Sequence, residues 1–171
     1  MKGKERRKEI VAMIMAAEEP VSGSLLAEQF GVSRQIIVQD IAMLRAEGYD
    51  VLSTHQGYVI TKGPFAERVI KLRHTSEQTE DELTTIVSLG GTVVNVFVWH
   101  KVYGKIEAGM NIFSERGIAQ FMDGIKSGKS KELMHITEGY HYHTIRADSE
   151  KTLDEIEAKL NQKGYIVPEI M

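Results

Sequence analysis

The sequence predicts an α+β fold in two parts, on three observations. Its first third reads as three short helices followed by a hairpin, and the rest alternates strands with helices. Between them stands the breaker pair Gly63 and Pro64. Residues 1–62 are therefore expected to form a winged helix-turn-helix. Residues 63–171 are expected to form an α/β sandwich, with a mixed or antiparallel sheet covered by helices.

The elements follow in chain order. In ERRKEIVAMIMAA (5–17), Ile10, Ile14 and Ala17 recur at i, i+4 and i+7, the stripe of an amphipathic helix that stops before Pro20. SGSLLAEQF (22–30) has a serine start and apolar Leu25, Leu26 and Phe30, and Gly31 closes it as a left-handed residue just past a helix end does. Ser33 then caps RQIIVQDIAMLRAEG, whose Ile37, Ile41 and Leu44 form a core stripe before Gly48. YDVLSTHQGYVIT gives two short strands about a turn at His55, Gln56 and Gly57. A short helix, a glycine turn and a serine-capped helix make a helix-turn-helix, and the run AEQFGVSRQIIVQDIAMLR carries that pattern. Ser33, Arg34 and Gln35 in the first turn of the third helix, with Gln39 one turn on, are positioned to face a DNA major groove. Arg34 and Gln35 are the expected base readers. His55 and Gln56 at the wing tip are candidates for a phosphate or minor-groove contact.

Beyond Pro64, ERVIKLRH (67–74) reads as a strand and TEDELTTIVSLGG (79–91) as a helix closed by glycines. TVVNVFVW (92–99) is apolar on both faces, as a central strand is, and GKIEAGMNI (104–112) is expected to pair back on it. SERGIAQFMDGI (114–125) places Ile118, Phe121, Met122 and Ile125 at helical spacing. EGYHYHTIRAD (138–148) alternates like a strand, SEKTLDEIEAKLNQ (149–162) is a helix built on Leu153, Ile156 and Leu160, and YIV after Gly164 is expected as a last strand.

Composition narrows the chemistry. There is no cysteine, which excludes disulfides and thiolate metal sites, so any metal must be held by histidine, carboxylate or water. No run of eighteen apolar residues is present, and the charged start MKGKERRKEI leads into no apolar signal segment, so a cytoplasmic protein without a membrane span is expected. The net charge of −3 lies wholly beyond residue 62, because the first 62 residues balance eight basic against eight acidic groups. Lys2, Lys4, Arg6, Arg7 and Lys8 give that part a basic start that suits a phosphate backbone or a solvated terminus. The loop SGKSK (127–131) is not a phosphate-binding loop: Gly124 stands one residue too close to Gly128, and the run follows a helix instead of a strand.

His141 and His143 lie one residue apart on the EGYHYHTIRAD strand, so their imidazoles share a face about 6.5 Å apart. That spacing permits a metal site and equally describes a solvated strand face. His74 ends an earlier strand and Glu82 begins the following helix, although Thr79 and Glu82 also spell a T-x-x-E capping box that would turn the carboxylate back on the backbone. His100 in WHKVYG sits at a hairpin turn, as a turn residue or as a ligand contact. Nitrogen and oxygen ligands of this kind suit zinc, nickel or iron. Nothing pairs a nucleophile with a base, so no catalytic residue is assigned and an enzyme is not expected.

With SRQIIVQDIAMLR in the first part, and LRHTSEQTEDEL, WHKVYG, GKIEAGM and ITEGYHYHTIRAD in order in the second, the chain resembles the niacin-responsive transcriptional repressors. These join a winged helix to a three-histidine (3H) domain, and the resemblance runs over nearly all 171 residues. It implies a homodimeric repressor of NAD biosynthesis or niacin uptake genes, binding operator DNA with nicotinic acid as co-repressor. It further implies a divalent transition metal (nickel, zinc or iron) on His74, Glu82, His141 and His143, and His100 near the effector pocket. Arg73 and Arg146 are then candidates to pair with the effector's carboxylate. Lys101 departs from the resemblance, which leads one to expect proline after His100. A repressor answering to the metal itself is the alternative, and a small metallo-hydrolase a more remote one.

Overall fold

The structure is a computed structural model that describes residues 1–128 and 131–168, with the backbone alone at Lys62. Lys129 and Ser130 of the SGKSK loop lie outside the described residues. The chain divides into two compact units with the boundary between Pro64 and Phe65.

In the first unit, α1 (Gly3–Ala16), α2 (Gly23–Phe30) and α3 (Arg34–Ala46) precede the antiparallel hairpin of β1 (Asp50–Ser53) and β2 (Tyr58–Lys62). The expected caps form: Ser22 Oγ accepts the Leu25 N–H at 3.1 Å and Ser33 Oγ accepts the Ile36 N–H at 3.3 Å. Gly31 ends α2 at φ 62°. Ile10, Ile14, Leu26, Ile37, Ile41, Leu44 and Val51 form the core, each such side chain contributing about 1.5–3 kcal/mol when fully buried. At the wing, Thr54 Oγ1 accepts the N–H groups of Gln56 and Gly57, leaving His55 and Gln56 exposed. Gly57 is fixed by sterics, because a Cβ there would lie 2.4 Å from the Val21 carbonyl. Within the basic start, Arg6 and Arg7 face acids of the same unit. Arg6 binds Asp40 on α3, with Nε 2.6 Å from the carboxylate, and Arg7 reaches both Asp40 and Glu47. Two of its cations therefore clamp α1 to α3.

The second unit contains a four-stranded sheet in the order β3-β6-β4-β5, antiparallel throughout. Its strands are β3 (Ala66–Arg73), β4 (Thr92–His100), β5 (Gly104–Ile112) and β6 (Tyr140–Ala147). β4 lies inside the sheet, as its two-sided apolar pattern requires. α4 (Thr79–Ser88), α5 (Glu115–Lys126) and α6 (Glu150–Gln162) place Leu83, Ile86, Ile118, Met122, Leu153, Ile156 and Leu160 against Ile70, Leu72, Val93 and Ile145 of the strands. On β6 the inward row is His141, His143, Ile145 and Ala147, so both histidines point toward the helix side.

Two expectations change. The YIV strand shrinks to a single bridge between Ile166 and Leu72 at the β3 edge; Pro168, which has no N–H, follows at once. The Thr79–Glu82 capping box does not form. A 3-10 turn, Ser76–Gln78, starts the helical path early, so Thr79 is already helical (φ −59°, ψ −46°) where an N-cap must be extended. Thr75, extended at φ −84° and ψ 163°, forms the box with Gln78 instead, which releases the Glu82 carboxylate for the interior.

Candidate metal centre and nucleic-acid interface

Glu82 is the hub of a buried cluster. From α4 its carboxylate faces His74 at the end of β3 and both histidines of β6. His141 Nε2 is 3.1 Å from Oε2 and His143 Nε2 is 2.5 Å from Oε1, while His74 Nε2 also meets Oε2. One ligand atom from each of His74, Glu82 and His141 lies within 4.8 Å of the others. All four residues are buried. The register makes this possible: β6 pairs with β3 through Leu72 and His141, and with β4 through Val96 and His143.

The far side of each ring decides which nitrogen faces inward. His74 Nδ1 lies 2.8 Å from the Thr75 carbonyl, His141 Nδ1 2.9 Å from that of Gly139, and His143 Nδ1 2.7 Å from that of Asn95. A carbonyl only accepts, so each Nδ1 carries a proton and donates it. Three Nε2 atoms and two carboxylate oxygens therefore converge, and that is a set of lone pairs without a positive centre unless protons or a cation enter. His74 Nε2 and Glu82 Oε1 are both buried, and each approaches another member of the cluster without forming a regular hydrogen bond. A divalent metal fits this donor set, which is all nitrogen and oxygen and has its outer nitrogens held as metal-bound histidines usually are.

Burial alone would push the Glu82 carboxyl up, but the facing imidazoles of His143 and His141 outweigh it and hold the group well below the usual carboxylate range. Burial lowers His74 from its ordinary value, while at His143 the opposing pull of Glu82 exceeds the burial cost and raises it. Tyr165, whose ring lies 5.3 Å from that of His74, is pushed up to about 12 by burial and by its hydrogen bond to Asp81.

The other sequence candidates lie apart from this cluster. His100 Nδ1 accepts the N–H groups of Val102 and Tyr103 at 3.1 and 3.2 Å, which organises the β4–β5 turn. Arg146 alternates onto the opposite side of β6 from the histidines and pairs with Glu67. Arg73 lies over the Tyr140 ring, 4.7 Å from its centroid. The sequence reading missed the carbonyls that orient the rings. Asn95 is free to serve His143 because the β4 register shifts between Val93 and Asn95, and no side-chain signal announces such a bulge. It also missed Glu132, which is buried and accepts the Thr79 hydroxyl at 2.5 Å.

In the first unit, α3 presents Arg34, Gln35 and Gln39 to solvent, with Ser33 exposed but its hydroxyl engaged as the cap. Ile37, Ile41 and Leu44 face the core. This is the disposition a reader helix needs.

Comparison with known proteins agrees with both units. Residues 6–59 match a helix-turn-helix (HTH) domain family, and residues 67–169 match the 3H domain family. A probable transcription repressor, NiaR, of Thermotoga maritima is 40% identical over 166 residues, covering 96% of this chain and 95% of its own. The transcription repressor NadR of Bacillus subtilis is 34% identical over 170 residues, covering 96% of this chain and 94% of its own. Both relatives are named as regulators, not enzymes. The chain belongs to the 3H-domain family of transcription repressors that carry an N-terminal helix-turn-helix.

Proposed function

We propose that this protein represses NAD biosynthesis or niacin uptake genes, with a divalent transition metal on His74, Glu82, His141 and His143 and nicotinic acid as co-repressor. One observation carries the metal assignment: three imidazoles, each tied through Nδ1 to a backbone carbonyl, aim Nε2 at one buried carboxylate. When bound, the metal would supply a fixed positive charge with positions left for a carboxylate or pyridine ligand. The niacin assignment rests on the family resemblance of the whole chain. Residues 1–62 would read the operator through Arg34, Gln35 and Gln39, and residues 63–171 would hold metal and effector and pair two copies. A homodimer fits a reader that places two helices in half-sites about 34 Å apart. Acting on an operator, it would work in the cytoplasm.

Switching requires that nicotinic acid bind one dimer geometry better than the other, since a ligand shifts an equilibrium only by its differential affinity. Arg73 and His100 remain the candidate effector contacts; Arg146, on the far sheet face and paired with Glu67, is the least supported of the three. The experiment is an operator gel shift with metal held constant and nicotinic acid, nicotinamide or NAD varied, repeated with a chelator. Retardation that rises with nicotinic acid and disappears with chelator is expected. Retardation that follows the metal alone would assign the protein as a metal-responsive repressor.

A further inference from the structure

Helix α3 contains one acid, Asp40, and the fold turns it inward onto Arg6 and Arg7. Glu47, just past the helix, pairs with Arg7. The outward row of α3 is thus free of negative charge, as a surface approaching phosphates must be. At about 100° per residue, Gln35, Val38, Gln39 and Ala42 fall in one outward arc, opposite Ile37, Ile41 and Leu44. Val38 is 55% exposed. A β-branched side chain costs helix propensity, and at this position only about half of it is covered by the fold.

A major groove offers one apolar feature at its floor, the C5-methyl group of thymine. Gln35 and Gln39, a turn apart beside Val38, carry the amides that suit the N6 and N7 edge of adenine. Met43, the other exposed large apolar residue of α3, lies toward the C-terminal end, away from the first turns that reach bases. We propose that Val38, backed by Ala42, reads a thymine C5-methyl group, and that Gln35 and Gln39 read the neighbouring adenines, so that each half-site is centred on A·T pairs. This rests on α3 being the reader helix proposed above.

The test uses a duplex that the full-length protein, with zinc and nicotinic acid present, selects from a random-sequence pool. Replacing thymine by deoxyuridine, one position at a time, removes only the methyl group. At one position per half-site this should weaken wild-type binding about fourfold, the worth of one buried methyl. Val38→Ala, which alters both copies of the proposed dimer, should weaken binding to the thymine duplex about sixteenfold and show no further loss on the uracil duplex. Undiminished binding by Val38→Ala, or a full uracil penalty in that variant, would overturn the assignment. A changed oligomeric state with the uracil penalty intact would assign Val38 to a protein contact and overturn it equally. Gln35→Ala separates the two levels: if it changes the selected bases while Val38→Ala does not, the thymine reading alone falls. If neither variant alters selection, the reader-helix assignment falls with it.

Discussion

Glu82→Gln is the sharpest perturbation of the proposed metal centre. Glu82 contacts all three imidazoles, and it is buried. Glutamine keeps the shape and removes the charge, and its amide can donate to an inward Nε2, so the fold is expected to persist. Structural zinc sites bind with about 10–16 kcal/mol, which over four ligands is about 2.5–4 kcal/mol each. The amide oxygen retains some ligand character, so the lower end applies and metal affinity should fall about 100-fold. Competition against a chromophoric chelator measures this directly, with far-ultraviolet circular dichroism as the check on folding. A variant that binds metal within about threefold of wild type would refute the reasoning, because Glu82 would then not be a ligand.

Other consequences are equally open to measurement. Asp40→Ala leaves Arg6 without an anion and Arg7 with Glu47 alone, the two side chains being 14% and 16% exposed. Their residual solvation reduces the cost of a broken buried pair to about 2–3 kcal/mol, to be read from urea unfolding. An unchanged midpoint would show that the clamp contributes nothing. At Gly139, where φ is 90°, an added Cβ would lie 2.7 Å from the His74 carbonyl. Gly139→Ala should therefore cost about 1–3 kcal/mol and, by displacing the carbonyl that orients His141, weaken metal binding about tenfold; a metal titration identical to wild type would contradict this. Lys163 and Tyr165 hold the Asp81 carboxyl below its ordinary value of 3.8, so its stabilisation is present above about pH 3.8 and is lost as pH falls through the lowered folded-state value. Asp81→Asn should flatten the acid limb of the stability profile, and an acid limb as steep as wild type would dissociate Asp81 from it.

The sequence displayed its helices well because their apolar stripes are periodic and their serine caps are explicit, as at Ser22, Ser33, Ser114 and Ser149. The site was legible as a possibility: the i, i+2 spacing of His141 and His143 fixed a shared face, but burial of that face depends on β3 and β4 lying on either side. Parity along β6 already separated Arg146 from the histidines, since an odd step from His141 crosses the sheet. Part of what escaped was set by backbone. The bulge that frees the Asn95 carbonyl and the single bridge at Ile166 depend on main-chain paths that no side-chain pattern records, whereas the early 3-10 turn that frees Glu82 is spelled by Thr75 and Gln78, a capping-box pair competing with Thr79 and Glu82. Arg6 and Arg7 escaped for another reason, because a basic run looks alike whether its partners are phosphates or the acids of a neighbouring helix.

The wide spacing of the cluster along the chain gives it a place in time as well as in space. His74 and Glu82 emerge early in synthesis, but His141 and His143 follow some sixty residues later and reach them only when β6 inserts between β3 and β4. Local contacts cannot assemble the ligand set, so the long loop must close first and its entropy be met by strand pairing. On the proposed assignment, metal loading would therefore be a late event that certifies a finished sheet: a nascent or misfolded copy offers at most a fragment of the cluster.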